Sequence, residues 1–489
     1  MDARGATIDS KHMSVPRGST VGTPLGSQAP YDVIVVGGGH AALSAALSAC
    51  RTARRVLVLE RAPVHMRGGN SRHTRNVRCA HDAGDPYMIG EYGEEEFLND
   101  LRQVGGGQVN ADLARFAIRE SKTLPAWMTE QGAAWQQALR GTLSLARTNR
   151  FFLGGGKALV NTYYETCRRL GVAICYDATV EDVLVDGRRS EGVVVRLDGT
   201  RQIVRARAIV IASGGFEANL VWLRRYWGDA VENFVVRGTP YNDGRVLAAL
   251  LDRGAMQTGD PKEFHAIAVD ARAPQYDGGI ATRLDSIPFG IVVNREGKRF
   301  ADEGEDLWPK RYATWGGRIA GQSGQRAYSI VDAQGIGCFL PPLYKPFQAG
   351  SVETLAGLLQ IDPGALSRTV EAYNRAASGN EAFRPDVLDG LRTRGLDPPK
   401  SNWARPLDRP PFYAFPLRPG ITFTYMGVGV DETARIVDRL GQPFLNLYAA
   451  GEIMSGNILR SGYLAGFGMT IGGVFGRLAG REAATHAGR

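Results

Sequence analysis

The feature that most constrains this chain is Gly37-Gly38-Gly39-His40-Ala41-Ala42, set between a short apolar run and an alanine-rich one. Asp32-Val-Ile-Val-Val36 is apolar and β-branched, which predicts a buried strand. Ala41 to Ala53 predicts a helix, and Val56-Leu-Val-Leu59 a second buried strand closed by Glu60. Together these make a strand–helix–strand unit of about 30 residues. In such a pattern Gly37 makes the tight turn, and Gly39 lets the backbone approach a pyrophosphate at the helix N-terminus. Ala42 lets the helix pack closely on the strand. Glu60 stands about 20 residues further on, where an acid binds ribose hydroxyls. A dinucleotide cofactor is implied, although this segment does not separate NAD from FAD.

The rest of the chain alternates in the same way. Leu159 to Leu170 predicts a helix, Val180 to Val185 with Gly192 to Leu197 a hairpin, and Ala208 to Ala212 another buried strand stopped by Ser213-Gly-Gly215. Between about 262 and 405 strands thin out and Pro and aromatics increase; glycine-rich strand-and-helix patterning returns from Phe412. At roughly 100–200 residues per domain, 489 residues fit an α/β, Rossmann-type domain with an insertion. The expected parts are a disordered tail at 1–30, a cofactor domain at 31–261 and 406–489, and an α+β capping domain at 262–405.

Composition removes other classes. The net charge of +8 is spread out, with no dense basic stripe interleaved with aromatics, so nucleic acid is not the expected partner. The five cysteines form no CxxC or CxxCH, so no cluster, structural zinc or c-type haem is expected, and a reducing, cytoplasmic setting fits. No apolar run approaches about 18 residues, and the first 30 lack the apolar centre of a signal peptide.

The C-terminal end decides the cofactor. Leu447-Tyr-Ala-Ala-Gly-Glu452 resembles the late strand-turn signature of two-domain flavoproteins, in which a carboxylate holds the ribityl chain. A glycine-rich stretch and a helix from Gly466 follow, a helix that in such proteins aims its positive end at the isoalloxazine. Gly68-Gly-Asn70-Ser71, Ala212-Ser-Gly-Gly215-Phe216 and Ala449-Ala-Gly-Glu452 resemble the fumarate reductase/succinate dehydrogenase flavoprotein superfamily, from about Tyr31 to Ala484. Within it, Arg67–Asn76, Glu303–Arg311 and Arg418–Tyr425 resemble FAD-dependent tricarballylate dehydrogenase, which oxidises propane-1,2,3-tricarboxylate to cis-aconitate.

The resemblance implies roles. Gly37, Gly39, Ala42, Glu60, Arg61, Gly69, Asn70, Ser71, Val180, Ala212, Gly214, Glu452 and Gly466 would hold the FAD. His265 falls where fumarate reductases carry a substrate-binding histidine, and Arg460 matches the arginine that clamps a substrate carboxylate, a bidentate task suited to a guanidinium. Arg311, competing with Lys310, would be the proton-transferring arginine. Thr424, followed by Tyr425, replaces the histidine of a His-Thr-Met-Gly motif, so one carboxylate contact is remodelled. His73-Thr74 resembles the site of covalent FAD attachment, but its spacing from Gly68-Gly69 does not match, so non-covalent FAD is expected. His81 and Asp82 receive no role.

The implied chemistry is desaturation beside a carboxylate, with hydride passing to flavin and a proton to Arg311, while cationic arginines and His265 stabilise the developing charge. Electrons would leave to a separate membrane-associated iron–sulfur or haem protein, placing this chain in the cytoplasm, peripheral to the inner membrane. The rivals are a reductase of an unsaturated acid, a ketosteroid-type dehydrogenase, a flavoprotein of cobalamin ring contraction and a non-catalytic flavin-binding subunit.

Overall fold

The computed structural model describes residues 29–107, 110–138, 145–377 and 382–489. Apart from Ala29 and Pro30, the expected tail lies outside the described residues.

The apolar runs near the N-terminus become the centre of a sheet because their side chains are apolar on both faces, as a strand covered on both sides requires. β1 (Tyr31–Val36), α1 (His40–Ala49), β2 (Val56–Leu59), α2 (Gly155–Arg169), β3 (Ala173–Cys175) and β4 (Thr200–Ile211) form the first pass. β1 pairs in parallel with β2 on one side (Val33 opposite Val56) and with β4 on the other (Val35 opposite Val210). A second sheet follows, from β5 (Phe264–Asp270), β6 (Ile291–Asn294), β7 (Ala327–Val331) and β8 (Phe412–Thr424). The chain then returns through β9 (Arg435–Val437), β10 (Pro443–Ala449) and α3 (Phe467–Ala487). The first sheet has the order β9-β10-β4-β1-β2-β3, with the hairpin of Thr179–Asp186 and Arg189–Leu197 joined to β4.

The second sheet moves the expected boundaries. Phe412–Thr424 was assigned to the cofactor domain, yet it lies between β5 and β7 and pairs antiparallel with both. Val235–Val236, also expected in the cofactor domain, pairs with Gly420 and Ile421. Strand membership is set by which backbone edges meet, and the 13-residue β8 carries the chain from the capping sheet back to the interface.

The two chain ends meet through α1 and α3. A Cβ at Gly476 would lie 2.5 Å from the Ala41 carbonyl oxygen, and one at Gly480 would lie 2.2 Å from that of Ala45. The alanines of α1 and the four-residue glycine spacing of α3 therefore let the helix backbones touch. This contact holds the start of each helix against one long pocket between the sheets.

Candidate active site

One end of the pocket is built from backbone. Gly37 has φ +112° and a Cβ there would lie 2.3 Å from the Ala212 carbonyl oxygen; at Gly38 it would meet Tyr164 Oη at 2.0 Å and Glu60 Oε2 at 2.1 Å. Only glycine keeps this turn clear for a ligand. The first turn of α1 is held open by Ser71, whose Oγ accepts from His40 N at 3.0 Å. Glu60 ends β2 as expected, 6% exposed, with Oε1 accepting from Ala62 N at 2.8 Å. Burial raises its pKa, and the amides of Ala62 and Gly68 with the Tyr164 hydroxyl partly offset this. Arg61 donates to the Tyr241 carbonyl and pairs with Asp243 at 2.7 Å.

The middle of the pocket holds two acids. Glu452 lines it, with Oε1 accepting from Thr424 N at 2.8 Å and Thr424 Oγ1 at 3.2 Å. Behind it Glu217 is fully buried; Oε1 accepts from Asn70 and Asn242, while Oε2 has no donor. Burial is the main cause that raises both carboxyls, and the proximity of Glu217 raises Glu452 further. Two carboxyls buried beside each other resist joint ionisation.

The other end is built from side chains and is cationic. Arg75, Arg237 and Arg283 reach it from three separate segments, together with His265, Tyr312 and Tyr463. Arg237 is 6% exposed; its Nε donates to Thr422 Oγ1 at 2.7 Å, and its Nη1 has no partner. Arg75 leaves Nε and Nη2 buried and unpartnered, and Arg283 leaves Nε, although its Nη2 pairs with Asp285 at 2.8 Å. Burial pushes Arg75 and Arg237 down to about 10, so both remain cationic at neutral pH. The His265 ring stacks on Tyr463 at 4.1 Å and leaves Nε2 unpartnered. Burial above all, then Arg237 and Arg283, hold its pKa well below the ordinary histidine value. His265 is therefore a neutral hydrogen-bonding group here, rather than the cation expected from the sequence.

Three guanidinium side chains lining one cavity mark a site for anions. The pocket as a whole fits a ligand with a ribose and a pyrophosphate at one end, and an anionic partner at the other. Glycine-rich segments from both chain ends line this same pocket, and the FAD binding domain family matches residues 32–466. The chain belongs to that family. It is 26% identical over 501 residues to NADH:fumarate oxidoreductase of Klebsiella pneumoniae (strain 342), covering 99% of this chain but only half of that protein's length. It is 27% identical to fumarate reductase (cytochrome) of Shewanella frigidimarina, covering 94% and 79%. A 3-ketosteroid-Δ4-(5α)-dehydrogenase from Rhodococcus jostii RHA1 shares the fold with a TM-score of 0.72 at 23% identity, covering 96% and 99%. The protein is an FAD-dependent oxidoreductase.

Thirteen of the residues singled out in the sequence line the pocket: Gly37, Gly39, Glu60, Arg61, Gly69, Asn70, Ser71, Val180, Ala212, Gly214, Glu452, Gly466 and His265. Ala42 is fully buried in α1, and Thr424 and Tyr425 sit behind the lining, Thr424 on Glu452 and Tyr425 donating to the Gly462 carbonyl. Arg460 is exposed and outside the lining. Arg311 also lies outside it, with Nε 3.8 Å from Glu305 and 3.9 Å from Asp306, and Lys310 pairs with Asp100 at 2.7 Å. Arg311 Nε is buried without a hydrogen-bond partner, while the next residue, Tyr312, lines the pocket. His73 lines the pocket with Nε2 on Asp277 at 2.5 Å, whereas His81 and Asp82 serve the loop, bonding the Arg147 carbonyl and Lys122. Sequence reasoning missed Arg75, Arg237 and Arg283. Arg75 stands inside the quoted Arg67–Asn76 motif, but nothing in Val236-Arg-Gly or Thr282-Arg-Leu marks the other two.

Proposed function

We propose that this protein interconverts the saturated and unsaturated forms of a small polycarboxylate, tricarballylate and cis-aconitate being the pair named by the sequence resemblance. The observation that carries this reading is the trio of arginines, Arg75, Arg237 and Arg283, that lines the pocket beside His265. A guanidinium binds a carboxylate through paired donors, and several such groups match a substrate with several carboxylates. The roles first read for Arg460 and Arg311 pass to this trio and to the group beside it.

Bound FAD supplies the hydride-accepting centre. The chain orients the substrate carboxylates against the arginines, donates from neutral His265, and excludes water by walling the site with Tyr312, Tyr463 and Phe423. A ketosteroid reading fits less well, because an apolar ligand would leave the three arginines unpaired. A reductase of an unsaturated acid remains the second reading, favoured by the fumarate reductases among the relatives. The electron acceptor is a separate membrane-associated iron–sulfur or haem protein, which would hold this chain at the cytoplasmic face of the inner membrane; no helix among the described residues is long and apolar enough to cross it.

The test is an anaerobic titration of the yellow holoenzyme with tricarballylate, succinate and a ketosteroid. Bleaching of the oxidised flavin band by tricarballylate alone is the expected result. Bleaching by the steroid alone overturns the reading. Reoxidation of pre-reduced flavin by cis-aconitate without bleaching by tricarballylate makes the enzyme a reductase.

A further inference from the structure

Tyr312 is placed where the three arginines and His265 meet. It is 5% exposed, and its ring stands edge-on to His265 at 5.4 Å with an interplanar angle of 88°. The Arg283 guanidinium lies 5.0 Å from its ring centre, and Trp308 supports it at 6.3 Å. Trp308 is itself fixed by Nε1 donating to Asp285 at 2.6 Å, and Asp285 is also the partner of Arg283. The ring is therefore held on several sides, a requirement for any group that must meet a substrate atom in one geometry.

Its hydroxyl is treated differently from those of other buried tyrosines. Tyr463 Oη accepts from Gly468 N at 2.9 Å, and Tyr425 Oη is spent on the Gly462 carbonyl. The Tyr163 and Tyr373 hydroxyls are sealed in the protein without a partner. Among the described residues Tyr312 Oη has no hydrogen-bond partner either, yet it is not sealed, and the residue lines the pocket. We propose that Tyr312, rather than its neighbour Arg311, is the catalytic residue that exchanges the proton with the substrate carbon. This inference rests on the polycarboxylate reading above.

In the reductive direction the neutral phenol gives its proton to the carbon beside a carboxylate, while a hydride reaches the neighbouring carbon from reduced flavin. The double bond becomes a single bond and the phenolate is left among the guanidiniums. In the oxidative direction the phenolate oxygen takes that proton, the C–H electron pair forms the double bond, and the hydride leaves the neighbouring carbon for the flavin. Arg283, Arg237, Arg75 and Arg78 are the cations that face the phenol, and His265 beside it is neutral. Burial raises the Tyr312 pKa above the ordinary tyrosine value, and those four charges hold it down in part. The phenol is therefore mostly protonated at neutral pH, and oxidation accelerates as pH rises.

The experiment compares Tyr312→Phe and Arg311→Gln with wild-type holoenzyme. It follows flavin bleaching by tricarballylate in anaerobic stopped flow from pH 6 to 10, and deuterium exchange into the substrate from D2O. Tyr312→Phe should keep its flavin and bind substrate within a few-fold, as read by the spectral shift of the flavin. It should bleach about 10²- to 10⁴-fold more slowly, the usual range for loss of a positioned acid–base group, lose the exchange, and lose the rise with pH. Arg311→Gln should change the rate by less than about tenfold and keep the pH profile. If Tyr312→Phe bleaches at nearly the wild-type rate with an unchanged profile, Tyr312 is not the proton-transfer group. If wild type itself is not bleached, the polycarboxylate dehydrogenase reading falls instead, and the two failures are thereby separated.

Discussion

The two ends of the pocket recognise their ligands by different means. At the nucleotide end the wall is largely main chain: the turn at Gly37–Gly39, the first amides of α1 and one acid, all within about one strand–helix–strand unit. At the substrate end the wall is side chains, with Arg75, Arg237, His265, Arg283, Tyr312 and Tyr463 drawn from segments spread over most of the chain. A backbone-built site needs glycines at fixed spacing and is hard to alter without losing the fold. A side-chain site can change one residue at a time, which is how one fold spans relatives acting on small acids and on steroids.

Breaking the nucleotide end should have the largest effect. Gly37→Val puts a branched side chain at φ +112° and into the Ala212 carbonyl, 2.3 Å from a Cβ. The expected outcome is protein purified without yellow colour, or none that is soluble, read by the flavin-to-protein absorbance ratio. Breaking the substrate end should leave the colour. Arg237→Met removes the most buried of the three cations while keeping much of its volume. A loss of about 3–4 kcal/mol of transition-state binding is expected, or roughly 10²- to 10³-fold in kcat/KM, with flavin content unchanged. Loss of flavin in Arg237→Met would show that the two ends are not separable.

Acid tests the nucleotide end through His40. Burial depresses His40, the first residue of α1, from 6.5 to about 4. The folded protein holds it neutral while the unfolded chain takes a proton, so stability is lost as pH falls from 6.5 towards 4, by about 3 kcal/mol in all. His40→Gln should flatten this part of a Tm-against-pH curve. Glu60→Gln, which keeps the shape of this pocket-lining acid, should weaken FAD binding by about tenfold to a hundredfold, read by fluorescence titration of apoprotein. The smallest effect is expected at Glu217. Burial raises its pKa, so its contribution is present at low pH and lost as pH rises through the folded value. Glu217→Gln mimics the protonated acid, and its Tm should exceed that of wild type only on the alkaline side, by a few degrees. An equal gain at pH 5 would mean that no proton is shared with Glu452.

By itself the sequence determined the FAD-binding half. Gly37, Gly39 and Glu60 stand in a periodic local trace, a buried strand, glycines at the turn, a helix start and an acid one strand later, whereas Glu452 and Gly466 were reached through the resemblance to known flavoproteins. The tertiary structure alone decided the substrate end. Arg237 and Arg283 stand in unremarkable stretches, and only the pairing of β8 with β5 and with Val235–Val236 brings them to His265. It also decided between adjacent residues, sending Arg311 towards Glu305 and Asp306 while Tyr312 faces the pocket. It bears on charge too: His265 lines the pocket, and burial above all, then Arg237 and Arg283, hold its pKa well below the ordinary histidine value. Long-range convergence and desolvation have no local signature, because both depend on what the rest of the chain places nearby.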